Sequence, residues 1–167
     1  RRLDGYDIVG AARMLDEFIV EDFSNWYLRR SRRRFQKPET KKEKDEAAAV
    51  TAHVLVRLTE LMAPFTPFLA EAIYRELKNK LGLKEESVHL RRWPGVKTKD
   101  KSRKTKALLE GMTDARKLAA LALAERAKAG IKVRQPLAKL KIKNEKLKVT
   151  ELLDLLKDEV NVKEVVL

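Results

Sequence analysis

Apolar residues recur at intervals of three and four from Ile8 to Tyr27, a spacing that commits the opening of the chain to an amphipathic helix. Ile8, Ala11, Ala12, Leu15, Phe18, Ile19, Phe23, Trp26 and Tyr27 fall on one broad stripe, and the helix is expected from about Asp4 to Phe35. Acids fill its first two-thirds (Asp16, Glu17, Glu21 and Asp22) and give way to Arg29-Arg30-Ser31-Arg32-Arg33-Arg34. Cations in a last turn complement the helix dipole, and Pro38 forbids continuation soon after.

Lys37 to Asp45 reads as a charged connector. A second helix is predicted from about Glu46 to Met62, with Ala48, Thr51, Ala52, Leu55, Leu58, Thr59 and Met62 on its apolar face. Ala63-Pro64-Phe65-Thr66-Pro67-Phe68 then breaks and restarts the helix: Pro64 ends the ladder, Thr66 is placed to cap, and Pro67 suits the first helical position. The third helix should run to about Leu81, with Leu69, Ile73 and Leu77 inward and Gly82 as its stop. Leu83 to Lys101 reads as irregular, with Val88-His89-Leu90 as a candidate extended stretch and Trp93-Pro94-Gly95 as a turn. A fourth helix, from about Ser102 to Lys128, centres on Leu118, Leu121, Ala122 and Leu123 and ends at Gly130.

The last third changes period. Ala138, Leu140 and Ile142 alternate with Lys139, Lys141 and Lys143, the pattern of a half-buried strand with lysines on its wet face. Thr150 is placed to cap a short helix carrying Leu152, Leu153, Leu155 and Leu156, and Val162, Val165 and Val166 form a second strand. The expected fold is therefore mainly α: a four-helix-type bundle over residues 1–129, followed by a partial α/β strand-helix-strand unit over 130–167. Two strands make a poor sheet alone, so the chain is expected to stop inside a small domain. Its opening, Arg1-Arg2-Leu3-Asp4, has neither Met nor a signal-peptide core and reads as entered partway through a longer protein.

Charge narrows the partners. Lys and Arg total 38 against 25 Asp and Glu, a formal net charge of +13. Such an excess favours polyanions, with nucleic acid first and an anionic membrane surface second. The sequence has no Cys, which excludes disulfides, thiolate zinc sites and cysteine catalysis. His53 and His89 lie far apart, and no metal site is expected. No apolar run approaches the ~20 residues of a membrane span. No phosphate loop of the GxxxxGK[ST] type, no GxSxG elbow and no HExxH occurs, so no catalytic residue is expected either.

Two segments stand out as candidate binding sites. In the first, Arg29, Arg30, Arg32, Arg33 and Arg34 crowd onto one helix end, with Arg30 and Arg34 on one side and Arg29 and Arg33 on the next. Forked guanidinium groups match phosphate oxygens. Trp26 and Tyr27, one turn earlier, fall on the apolar stripe and are expected in the core. In the second, Gly130-Ile131-Lys132-Val133-Arg134-Gln135-Pro136-Leu137 joins the fourth helix to the first strand and offers Lys132, Arg134 and Gln135 as donors. His53 is expected to pack, and His89 is the histidine better placed to meet RNA.

Four runs, SNWYLRRSRRRF (Ser24 to Phe35), LMAPFTPFLAEAIY (Leu61 to Tyr74), SVHLRRWP (Ser87 to Pro94) and AGIKVRQPLAKL (Ala129 to Leu140), resemble isoleucyl-tRNA synthetase in that order. The proline-phenylalanine corner is shared among class I synthetases for aliphatic amino acids; the SRRRF and GIKVRQPL stretches are more specific, and valyl-tRNA synthetase departs from both. The resemblance implies a helical region beyond the catalytic and editing domains that docks on the anticodon stem and loop of an isoleucine-accepting tRNA. It implies a cytoplasmic parent that uses ATP and Mg to esterify isoleucine to tRNA, with those cofactors held by a catalytic domain elsewhere. Neither nucleotide signature of that domain, HIGH or KMSKS, occurs here, so the chain itself is expected to carry no cofactor and no ligase chemistry. The implied partners are the tRNA and the catalytic domain of the same polypeptide, with no membrane. The alternatives are the corresponding region of valyl-tRNA synthetase, or a helical protein-interaction module that does not bind RNA.

Overall fold

A computed structural model describes residues 2–95, 103–142 and 151–166, and places them in two compact units, residues 1–96 and 97–167. The mainly α character is as expected. In the first unit the helical elements are α1 (Ile8–Glu17), a π-helical stretch (Phe18–Leu28), α2 (Arg29–Gln36), α3 (Lys41–Met62) and α4 (Pro67–Leu81). The second unit holds α5 (Arg103–Lys128), β1 (Leu137–Lys141), α6 (Glu151–Val160) and β2 (Val162–Val166).

The first helix starts at Ile8, where its apolar stripe begins, rather than at about Asp4 as expected. Leu3–Gly5 forms a 3-10 turn, Tyr6 takes a left-handed conformation at φ 58°, and Asp7 then caps α1 by accepting from the Gly10 amide at 2.8 Å. The helix is also not uniform. From Phe18 to Leu28 the amides reach back five residues instead of four, and the Arg29 amide still bonds to the Ser24 carbonyl. Such stretches are rare and mostly single-turn bulges. This one spans 11 residues. It shifts the face that the chain presents, so Phe23 is buried while Phe18 is 39% exposed although both lie on the predicted stripe.

α3 begins at Lys41, inside the stretch expected to be a connector. Thr40 accepts from the Glu43 amide at 3.1 Å, and the Glu43 carboxylate accepts from the Glu39 amide at 2.9 Å. This is a capping box in all but its last partner, and the T-x-x-E spacing was present in the sequence. At the other end Thr66 does not cap α4 as expected. Its hydroxyl donates back to the Met62 carbonyl at 3.4 Å, while Pro67 takes the first helical position as expected. Gly82, at φ 63°, ends α4. The inward face of α4 lies one residue on from the expected one: Ala70 and Tyr74 are fully buried, whereas Leu69 is 52% exposed. Val88 joins them, with Met62, Ala63 and Leu83 packed around. Val88–Leu90 is a 3-10 turn rather than extended, because the Ser87 hydroxyl accepts the His89 amide and tightens it. Trp93 to Gly95, expected as a turn, has no regular structure.

In the second unit β1 and β2 pair in parallel, with Leu137 opposite Val162 and Leu140 opposite Val165, and α6 forms the crossover between them. The strand-helix-strand reading therefore holds, and Ile142, Leu152, Leu156, Val160 and Val162 are buried there. The expected division at 129/130 grouped α5 with the helices before it. The two compact units divide at 96/97, and within the second α5's principal packing partner is α6. Ala115 and Ala119 bury their side chains, while Leu121, expected at the heart of this helix, is 63% exposed. Lys143 and Thr150, given roles in the strand and the cap, lie outside the described residues.

Candidate nucleic-acid interface

Ordinary α geometry resumes at Arg29, and it sorts the arginines by face. Arg29, Arg32 and Arg33 point to solvent, while Arg30 and Arg34 are half-buried beside the buried Ser31. The two inward arginines are structurally engaged. Arg30 lies over the Trp26 ring at 5.4 Å, a cation–π contact, and Arg34 reaches Glu43 at 3.7 Å and Glu46 at 3.9 Å on α3. Of the outward three, Arg29 donates from Nε to the Asn25 carbonyl at 2.8 Å and Arg33 pairs with Glu39 at 2.5 Å. The Arg33 pair is surface-exposed on both sides, and such pairs are worth only about 0–1 kcal/mol, so a phosphate can replace the carboxylate cheaply. The outward face is thus a cationic strip one helix turn long, with Arg32 between the other two.

Trp26 and Tyr27 are half-buried. Tyr27 stacks on Phe23 with ring centroids 6.0 Å apart and donates to the Ala47 carbonyl at 3.4 Å, so it ties the π stretch to α3. Trp26 is covered on one face by Arg30. The core role expected for both suits Tyr27 better than Trp26.

Lys132, Arg134 and Gln135 are all exposed on the turn between α5 and β1, in the second unit. What holds that turn is a residue the sequence reading passed over. Arg126, 4% exposed, sends its Nη2 to the carbonyls of Lys132 at 2.7 Å and Gln135 at 2.5 Å, with Val133 further off at 3.4 Å. Asn161, itself left-handed at φ 53°, adds a bond to the Val133 carbonyl at 2.8 Å. The turn's carbonyls face inward and its three polar side chains face out.

A second arginine system, gathered around a buried glutamate, braces the first unit. Glu60, 4% exposed, accepts from Arg57 at 2.8 Å and Arg91 at 2.6 Å, and Arg91 also pairs with Glu85 at 2.7 Å. Burial opposes the charge on Arg91, but the bonds and charges of its carboxylate partners, and the Tyr74 side chain beside it, outweigh that and raise its pKa. Glu71 takes the Ser87 hydroxyl at 2.8 Å, the Val88 amide at 2.9 Å and Arg75 at 2.8 Å. The Ser87 bond leads these in holding its carboxyl below the usual range, against the pull of burial. His89 is exposed at the edge of this brace, and His53, expected to pack, is exposed on α3. Among the described residues no group of three or more His, Asp or Glu is arranged to hold a metal ion, and no helix is long and apolar enough to cross a membrane.

These arginines and the α5–β1 turn lie within the span of a known domain family. A family model for the anticodon-binding domain of tRNA ligases matches residues 1–142. The chain belongs to that family. The match runs from the opening turn through α5 and β1, and so crosses the division between compact units. The resemblance drawn from the four motifs is also found in whole-sequence comparison. The chain is 43% identical over 136 residues to the isoleucine–tRNA ligase of Thermus thermophilus, which covers 81% of the chain and 13% of that protein. It is 38% identical over 167 residues to that of Methanothrix thermoacetophila, covering 99% and 16%, and 36% identical to that of Porphyromonas gingivalis, covering 98% and 14%. The chain thus spans 13–16% of the length of these curated relatives.

Proposed function

We propose that this anticodon-binding domain serves an isoleucine–tRNA ligase and holds the anticodon stem and loop of an isoleucine-accepting tRNA. The observation that carries the reading is the cationic strip of Arg29, Arg32 and Arg33 on the outer face of α2, in a chain of net charge +13. The strip tracks successive phosphates, with Arg30 and Arg34 adding charge behind it, and Lys132, Arg134 and Gln135 form a second anchor. Phosphate contacts position the RNA; bases are read where they are unstacked. The whole ligase would attach isoleucine to tRNA with ATP and Mg in its catalytic domain, in the cytoplasm. No step of that chemistry is assigned to the residues of this chain. The helices over 1–129 form the main tRNA-facing part in this reading, and 130–167, which carries the second anchor, begins the next region.

One observation favours an additional protein partner. α1 buries none of its residues, and an apolar groove of about 1090 Å³ opens between Met14, Leu15 and Phe18 on one side and Val54, Leu58 and Leu61 on the other. The catalytic part of the same ligase is the occupant this reading supplies against Met14, Leu15 and Phe18.

The test is a titration with an isoleucine-accepting tRNA transcript, and with an anticodon-altered version, at several salt concentrations. Log affinity is expected to fall linearly with log salt by about 0.7–0.9 for each phosphate neutralised. A preference for the correct anticodon would make the chain a reader of bases as well as a positioner. Absence of salt-dependent binding at low salt would sink the reading.

A further inference from the structure

We propose that Trp93 and Arg92 form a separate nucleotide subsite on the first unit, which takes an unpaired base on the indole and its phosphate on the guanidinium. The inference rests on the tRNA reading above but on different residues. Trp93 is 52% exposed, an unusual position for the largest apolar side chain, and Arg92 beside it is exposed with no hydrogen bond or ion pair among the described residues. The segment is nonetheless firmly held, because Arg91 is fixed by Glu60 and Glu85 and the turn before it by Glu71. A platform presented from a braced turn loses little freedom on binding.

Two hollows of opposite character meet at Trp93. One is the apolar groove, where Trp93 and Pro94 stand with Leu61 and Phe65. The other, about 240 Å³, is lined by His89, Arg91, Arg92 and Glu60. Glu60 does not repel an anion there, since Arg57 and Arg91 already neutralise it, and Arg92 remains as the uncompensated charge. An apolar face beside a cationic polar hollow matches the two halves of a nucleotide, whose base stacks on an aromatic ring and whose phosphate needs donors. A paired base in a stem offers no free face, so the subsite selects unstacked nucleotides.

The test titrates the protein with the anticodon stem-loop of an isoleucine-accepting tRNA and with a fully paired duplex of equal length. Trp93→Ala is expected to bind the stem-loop roughly tenfold more weakly. Trp93→Phe should restore most of that loss, and neither should change duplex binding. Unchanged far-UV circular dichroism and urea midpoints check that these variants fold. Stem-loop affinity of Trp93→Ala equal to wild type, or an equal loss on the duplex, would overturn the subsite. An Arg32→Gln/Arg33→Gln double variant separates the two ideas. If it weakens both RNAs while Trp93→Ala weakens neither, only the subsite fails and the surface belongs to protein packing. If the wild type binds neither RNA, both readings fall.

Discussion

The turn that follows α4 and the turn that follows α5 are each built around an arginine, half-buried in the first and buried in the second, and the two are satisfied in different ways. Arg91 meets two carboxylates and the face of Tyr74, so its charge is neutralised and its donors are used. Arg126 meets backbone carbonyls only, all through Nη2, while its Nε and Nη1 have no partner among the described residues. A buried charge balanced by an opposite charge is expensive to break, because loss of one partner strands the other. A buried charge held by carbonyl dipoles leaves no ion behind when it is removed. The first turn is accordingly a brace, and the second a clamp that holds exposed polar residues outward.

This contrast can be broken by measurement. Arg91→Met should leave the buried Glu60 with Arg57 alone and cost about 2–3 kcal/mol in urea unfolding of the first unit. Arg126→Met should cost only about 1–2 kcal/mol, since the lost carbonyl bonds are partly offset by removal of the unpartnered donors. Amide exchange at Gln135, whose N–H bonds to the Lys132 carbonyl, should rise in that variant. If the two substitutions cost the same, the distinction between brace and clamp is wrong. The smallest effect is a pH dependence. The Glu71 carboxyl is lowered in the fold from an ordinary value of 4.5, so the stability it contributes is complete above that value and is lost as pH falls through the lower folded value. Glu71→Gln should therefore flatten the acid limb of the urea midpoint against pH, and an unchanged acid limb would remove Glu71 from the brace.

The layout of helices and the strand-helix-strand tail were legible because they rest on periodicity and on Pro67, Gly82 and Gly130, which act locally. The start of α3 was legible too, since Thr40 and Glu43 stand at capping spacing, but the surrounding lysines and acids made the segment look like a linker. The inward face of α4 was not. Tyr74 is buried because its hydroxyl finds the Glu85 carbonyl at 3.0 Å, a partner supplied by a turn that periodicity does not foresee. Arg126 reads in sequence as an ordinary last-turn cation, and its carbonyl acceptors lie six to nine residues further on. The arginine run was visible, whereas its division into an outward three and an inward two depends on where α geometry resumes. That depends on the π stretch, whose residues fit either period.

That stretch has a consequence for how such a helix tolerates change in length. Each residue added to or removed from an α-helix turns everything beyond it by about 100°. In a uniform helix a one-residue indel before Arg29 would swing the arginines round to the wrong side. The wide turns between Phe18 and Leu28 already hold slack of this kind, and a segment that can tighten from five-residue to four-residue bonding can absorb a lost residue without moving its ends relative to one another. The angular setting between the apolar grip of α1 and the cationic strip of α2 is stored in that slack, like the take-up in a coupling between two shafts.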